Sequence, residues 1–329
     1  MSEKTLNSPP LAQLRDGDGF EGFYVVKETS FQTAVNGKNY IRMTLADATA
    51  SLSANIWDAN REIYNLCPAG CIVKILGVAE SYKGKPQIRI SRCRPAHESE
   101  VDIDQFLPQS SHDPVAMREE LLALVNSIAD PDYLALGRAF FEDRAVLDRF
   151  VRSPAARDLH HAFIGGLLEH TLNIARMADA FAAKARVNRD LLLLGALLHD
   201  IGKIEELEAK FAIDYTDKGK LLGHLYIGAE MAGRRADGIP GFPREKLHLV
   251  QHLILSHHGR YEYGSPVLPK IPEAFALHHL DNLDAKVETS NRLLDAINDP
   301  EKSWTDFSRA LETQLYRAGD RETGSNNAG

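Results

Sequence analysis

The sequence predicts a multidomain chain, a small all-β barrel followed by an all-α domain. Three observations carry that expectation. At 329 residues the chain exceeds the usual size of one compact domain. From about Gly19 to Ala96 apolar residues alternate with polar ones at the strand period. From Val115 the apolar spacing becomes helical and stays so to about Tyr316.

The runs "GFYVVKETSFQTAV", "KNYIRMTLAD", "ASLSANIWD", "GCIVKILGVAESY" and "KPQIRISRCRP" read as strands. Turn signals separate them at Asn36-Gly37, Asp47 to Thr49, Pro68 to Gly70 and Lys83-Gly84. Between the third and fourth, "ANREIYNL" is long enough for one helix. Five short strands with a helix before the fourth match a Greek-key barrel of the OB type, placed at 13-97. The polar, acidic "AHESEVDIDQFLPQSSHDP" then supplies a linker at 98-114. "AMREELLALVNSIAD", "DYLALGRAFFED", "AVLDRFVRS", "LLEHTLNIARMADAFAAKA" and "DLLLLGALLHDIGK" open a helical domain at 115-317. The tail 318-329, within "RAGDRETGSNNAG", is expected to be disordered, and no internal repeat is visible.

No segment runs apolar for the length of a membrane span, and the N-terminus lacks a basic region followed by an apolar core. A cytoplasmic protein without a membrane partner is expected. Cys67, Cys71 and Cys93 are too few for a disulfide framework and read as core or strand residues. The formal net charge of -8 argues on its face against nucleic acid, but residues 13-97 carry 11 Lys+Arg against 8 Asp+Glu, leaving -11 elsewhere. The sign therefore decides little.

"LLHDIGK", Leu197 to Lys203, places His199 and Asp200 at the end of a helix that is apolar on nearly every side. Burying a carboxylate there costs several kcal/mol, about the desolvation of one ion, unless something compensates, and a metal ion would. Alone, the pair reads equally well as a helix end at which Asp200 turns outward and Gly202 stops the helix. It is not alone: "GGLLEHT" supplies His170, "GHLYIGAE" His224, "LSHHG" His257 and His258, and "LHHLDNLDAK" Asp281 and Asp284. A lone core histidine is usually structural, yet so many in this order are hard to treat as separate packing residues.

This order resembles the HD-domain metal-dependent phosphohydrolase superfamily. The resemblance implies that His170, His199, Asp200 and Asp281 bind one metal, and that His224, His257 and His258 hold a second, with Asp200 bridging. His160 and His161 read as substrate or packing residues, His278 and His279 as structural, Asp284 as an orienting partner, and His248 and His252 as surface or packing residues. Imidazole and carboxylate donors without thiolate suit Mn, Co, Fe, Ni or Zn better than an all-oxygen Mg site. Two such divalent transition-metal ions would acidify a bridging water and stabilise both oxygens of an in-line displacement at a phosphoester. Asp200 and Lys203 are the catalytic candidates, Lys203 either neutralising a phosphate oxygen or standing as a solvated helix-end lysine.

OB-type sheets bind single strands with a basic groove and aromatic stacking faces. The candidates here are Phe31, Lys38, Tyr40, Arg42, Tyr82, Lys83, Lys85 and Arg89. Phe20, Phe23, Tyr24 and Trp57 are further aromatics, of which several must point inward. The whole arrangement is similar to the bacterial 3′-to-5′ exoribonucleases of the YhaM type, through "HHAFIGGLLEHT", "LLHDIGK", "GHLYIGAE", "LSHHGRYEYGSPVLPKIPEAFALHHLDNLDAK" and "WTDFSRALETQLYR". That resemblance implies Mn-type metal dependence, removal of nucleoside 5′-monophosphates from the 3′ end of single-stranded RNA, with single-stranded DNA a second candidate, and a homo-oligomer. "HHGRYEYGSP" departs from the Gly-Tyr-Pro signature of the cyclic-dinucleotide branch. The alternatives are a nucleotide or cyclic-nucleotide phosphohydrolase with a regulatory barrel, told apart by substrate preference, and a catalytically silent nucleic-acid-binding protein, which should have lost ligands.

Overall fold

The computed structural model describes residues 8–34, 36–47, 49–82, 84–97, 100–101, 106, 109–157, 161, 163–209, 213–297, 299 and 302–318. The chain divides into two compact units, Met1–Gln109 with Ala209–Asp214, and Ser110–Glu208 with Tyr215–Gly329.

The first unit contains five strands, β1 (Gly19–Thr33), β2 (Asn39–Ala46), β3 (Ser51–Trp57), β4 (Ile72–Tyr82) and β5 (Lys85–Pro95), closed in the order β1-β2-β3-β5-β4. Helix α1 (Arg61–Leu66) lies between β3 and β4, with Asn60 capping it by accepting from Ile63 N–H at 3.0 Å. All pairings are antiparallel except β3 with β5. This is the OB-type barrel that the alternation predicts. Along β2 the inward residues Ile41, Met43 and Leu45 are buried. Ile41 faces Ile56 and Met43 faces Ala54 across β3, and Ala54 and Ile56 in turn face Ile88 and Ile90 of β5. One apolar layer thus runs round the barrel while Tyr40, Arg42 and Asn55 alternate to the other side.

The second unit is helical: α2 (Pro114–Asn126), α3 (Pro131–Phe141), α4 (Arg144–Arg152), α5 (Gly166–Ala182), α6 (Arg189–Leu198), α7 (Lys203–Glu206), α8 (Asp217–Asp237), α9 (Arg244–Ser256) and α10 (Pro272–Asp295). Asp113, Asp130, Asp143, Asn188 and Thr216 cap five of these with their side chains, satisfying N–H groups that have no partner within the helix. Leu191 through Leu198 of α6 are buried without exception, as a helix apolar on all sides must be. It packs against α3, α5, α9 and α10 at the centre of the core.

Two details differ from expectation. A two-stranded ribbon, β6 (Leu207–Ala209) and β7 (Ile213–Tyr215), interrupts the helices. The helical run also ends at Asp295 rather than near Tyr316: residues 304–316 turn back on themselves with Trp304 opposite Tyr316 and Ser308 opposite Thr313. Glu312, in the left-handed region at φ 55°, reverses the chain. The apolar spacing of "WTDFSRALETQLYR" is compatible with either state, and the cross-chain bonds Thr305 N–H to Leu315 O and Arg317 N–H to Ser303 O select the turn. Of the expected tail, 319–329 lie outside the described residues.

Because Ile41 is wholly buried in the barrel, Ile41→Ala should destabilise the protein by about 2–5 kcal/mol, read as a lower midpoint in urea unfolding.

Candidate metal centre

The central helix α6 delivers His199 and Asp200 at its C-terminal end, 0% and 2% exposed. Gly202 follows in the turn. A Cβ at Gly202 would come within 2.1 Å of the His224 carbonyl oxygen, so the glycine permits the dyad turn to touch α8. Helix α8 is itself broken at Gly223, φ 71°, a conformation that favours glycine, and His224 begins its second segment. His170 comes from α5, His257 from the C-cap of α9, His258 follows it, and Asp281 and Asp284 lie on α10.

Each of these five histidines has Nδ1 engaged. His170 Nδ1 is 2.7 Å from Asp284 Oδ2, and His224 Nδ1 is 3.0 Å from Glu206 Oε1. His199, His257 and His258 place Nδ1 2.8 Å from the carbonyl oxygens of Ala196, Ile254 and Tyr263. Bonds to these acceptors favour the proton on Nδ1 and turn Nε2 toward the cluster, the arrangement that metal-binding imidazoles require.

The Nε2 atoms gather around Asp200. Oδ2 lies 3.5 Å from His170 Nε2 and 3.3 Å from His199 Nε2, and Oδ1 lies 3.5 Å from His224 Nε2 and 3.6 Å from His257 Nε2. Asp281 Oδ1 is 3.3 Å from His170 Nε2. Three groups have donor atoms close enough to share a cation: His170, His199 and Asp281; His199, Asp200 and His257; and His224, His257 and His258. A fourth, His161, His170 and Asp284, is already joined by hydrogen bonds that Asp284 Oδ2 accepts from both rings.

Two buried atoms, Asp200 Oδ1 and His224 Nε2, make no hydrogen bond although both are donor atoms for a metal. Unsatisfied buried polar atoms are rare because each costs about 1–3 kcal/mol. A divalent cation between them would remove that cost, so the residues fit the group that the sequence implies.

Charge tells the same story. Burial pushes the Asp200 carboxyl up, but Lys203, His199 and His170 outweigh it and hold the group well below the usual carboxylate range. Burial likewise opposes ionisation of Asp281, and His170 with the other imidazoles keeps it low. His257 moves down to about 3 because burial disfavours its cation, with His199 and His258 adding repulsion. On His170 burial is overcome by Asp200, Asp281 and Asp284, which raise its pKa. Such an excess of carboxylate over cation is what a divalent ion would balance.

Lys203 Nζ is 2.7 Å from Asp200 Oδ2 and its side chain is 12% exposed, so it is not a solvated helix-end lysine. It borders a cleft of about 210 Å³ with Asp200, His257, His258, Tyr263, Asp281 and Asn282.

The family model for the HD domain matches residues 167–286, which include the seven ligand candidates named from the sequence. The chain is 33% identical over 302 residues to "3'-5' exoribonuclease YhaM" of Geobacillus sp. (strain WCH70), covering 91% of this chain and 92% of the relative. It matches the protein of the same name in Bacillus velezensis (strain DSM 23117 / BGSC 10A6 / LMG 26770 / FZB42) at 33% over 302 residues, with 91% and 95% covered. This chain belongs to the YhaM family. Among solved structures, a replication protein A heterotrimer bound to ssDNA is 20% identical over 25% of this chain and 59% of its own, with a TM-score of 0.21, too slight a likeness to weigh.

As a YhaM-family member the chain is a phosphodiester hydrolase, and its barrel bears the other candidates. Tyr40 stacks on Trp57 with ring centroids 4.9 Å apart, and the two rings border a cleft of about 280 Å³ with Arg42, Ser53, Asn55, Tyr82 and Gln87. Trp57 and Tyr82 are 48% and 59% exposed, whereas Phe20, Phe23 and Tyr24 are buried. Phe31 is a poorer platform than the sequence suggests: it packs on Tyr64 and lies under the Arg61 guanidinium. The basic candidates divide as well. Lys38 is paired with Asp58 at 3.0 Å and Arg89 with Glu80 at 3.3 Å, while Arg42 opens on the cleft. Lys83 and the side chain of Lys85 lie outside the described residues, as does His160.

Asp284 has the orienting place expected of it, touching His170, His161 and Asn173. His161 is buried and in the left-handed region at φ 53°, a strained backbone of the kind that collects at functional sites. His278 Nδ1 bonds His257 O at 2.8 Å, His252 accepts from Lys270 N–H, and His248 is exposed. Sequence reasoning missed Glu206, which holds both the backbone N–H and the ring of His224. Eighteen residues separate the two, and nothing in "KIEELEA" marks one glutamate from the next.

Asp284→Ala should leave the ligand atoms in place but free the His170 ring, lowering affinity for a divalent transition metal by about 10–100-fold in calorimetric titration.

Proposed function

We propose that this chain is a metal-dependent 3′-to-5′ exoribonuclease that hydrolyses the phosphodiester bonds of single-stranded RNA and releases nucleoside 5′-monophosphates. The observation that carries this reading is the convergence of four Nε2 atoms on one buried carboxylate in a chain of the YhaM family. On this reading His170, His199, Asp200 and Asp281 would hold one ion, and His224, His257 and His258, with Asp200, would hold a second. Manganese suits this donor set, with cobalt, iron and nickel as alternatives. Ions held there would supply Lewis acidity and an acidified water for in-line attack at phosphorus.

The chain's own groups do the rest. Asp200 presents one oxygen to each half of the site. Lys203 is held by Asp200 at the cleft wall, where its ammonium meets a non-bridging phosphate oxygen. Glu206 and Asp284 keep two imidazoles from rotating. On the barrel, assigned to 13-97, Tyr40, Trp57 and Tyr82 serve as stacking faces and Arg42 as a phosphate contact. The helical domain, 115-317, carries the hydrolysis.

A single strand labelled at its 5′ end, digested by chelator-stripped protein with added Mn, should yield a ladder that shortens from the 3′ end. An intact strand beside rapid hydrolysis of free nucleotides would instead favour the small-nucleotide reading. Asp200→Ala should reduce hydrolysis to background while strand binding persists. Trp57→Ala should keep hydrolysis of very short substrates but weaken binding of longer strands by about 1–3 kcal/mol, measured by fluorescence anisotropy.

A further inference from the structure

All three cysteines of the chain meet at one end of the barrel. Cys67 caps α1 and is wholly buried, Cys71 precedes β4, and Cys93 lies on β5. Cys67 Sγ and Cys93 Sγ are 3.7 Å apart, in van der Waals contact, and all three are free thiols. Closing that gap to a disulfide takes a small movement of the two sulfurs. Cys93 also lines a cleft of about 570 Å³ whose charged residues are Lys74, Arg92, Arg94 and Glu21. Lys74 pairs with Glu21 and Arg94 with Glu100, which leaves Arg92 as the cleft's surplus cation. The partly exposed thiol thus stands in a positively biased cleft with the buried thiol behind it.

We propose that Cys67 and Cys93 are a redox-modifiable pair, converted to an intramolecular disulfide by a small anionic disulfide that enters this cleft. Cys67, in its thiolate form, takes the proton of Cys93 as the Cys93 sulfur attacks the S–S bond of the oxidant. One thiolate leaves, takes a proton from solvent, and a mixed disulfide remains on Cys93. Cys67 then gives up its proton and attacks Cys93 Sγ, and the second thiolate leaves and is protonated. The oxidant's disulfide is reduced to two thiols and the two cysteines are oxidised by the same electron pair. Hydrogen bonds from Cys71 and Cys93 lower the pKa of Cys67, whereas the bond to Cys67 and burial raise that of Cys93, so Cys67 is the thiolate that takes the Cys93 proton before it acts in the resolving step. The product would join α1 to β5 and so cross-link the end of the barrel.

The test uses the folded, full-length protein and oxidised glutathione, followed by alkylation, proteolysis and mass mapping. The expected result is loss of two of the three alkylatable thiols, with the Cys67 and Cys93 peptides joined, Cys71 alkylated, and full reversal by reductant. Cys71→Ser should still form the link, and Cys67→Ser should trap glutathione on Cys93. A Cys67–Cys71 link, a stable mixed disulfide in the unaltered protein, or three thiols still reactive after oxidant would each overturn the proposal. The unaltered protein alone distinguishes these results, so a variant that fails to fold does not blunt the test.

Discussion

The buried carboxylate of Asp200 is the constraint on which the helical domain depends. An ionised group at the end of a helix that is buried all round is unfavourable unless cations or donors surround it, and the surroundings are built accordingly. Lys203 approaches one oxygen, and four imidazole nitrogens stand within 3.6 Å of the pair. The core helices that meet here pack through their leucines. Their tight approach, at Gly202 against the His224 carbonyl, is what brings the two halves of the site to one carboxylate.

A second feature gives the centre its chemistry. Each ring is held through Nδ1 by a carbonyl of its own helical turn, a nearby loop carbonyl or a carboxylate from another element. Backbone carbonyls cost nothing extra, since the last ones of a helix lack partners in any case. That explains why His199 and His257 sit at helix C-caps: the position supplies both the acceptor and the direction. His170 lies inside a helix and His224 at the start of a helical segment, both away from the unpaired carbonyls of a helix end, and these are the two that need Asp284 and Glu206.

The barrel follows a simpler rule. Alternation sends Ile41, Met43, Ala54, Ile56, Ile88 and Ile90 inward, and closure of the sheet makes their layer continuous. The same alternation leaves Tyr40, Arg42 and Trp57 on the opposite side, where register places Tyr40 beside Trp57 and Arg42 beside Asn55. The aromatic cleft is thus the reverse face of the core pattern.

How much of this was legible beforehand differs by residue. The five strands, the barrel class and the seven metal-ligand candidates could be read from period, turn chemistry and motif order, because local sequence carries those signals. Phe31 and Trp57 could not be ranked, since alternation assigns a side of the strand but does not say what packs over it; α1 covers Phe31 and leaves Trp57 open. The fate of residues 304–316 was misread because an apolar spacing fits a helix and a turned-back segment alike. Glu206 and the meeting of three cysteines were invisible because their partners lie far off in the chain. By itself, then, the sequence determined which residues are candidate metal ligands and which faces must be buried. The tertiary structure alone decided which nitrogen of each histidine is held by an acceptor, which carboxylate stands between the two clusters and which thiols touch, because these depend on packing between distant segments, and no periodicity records that.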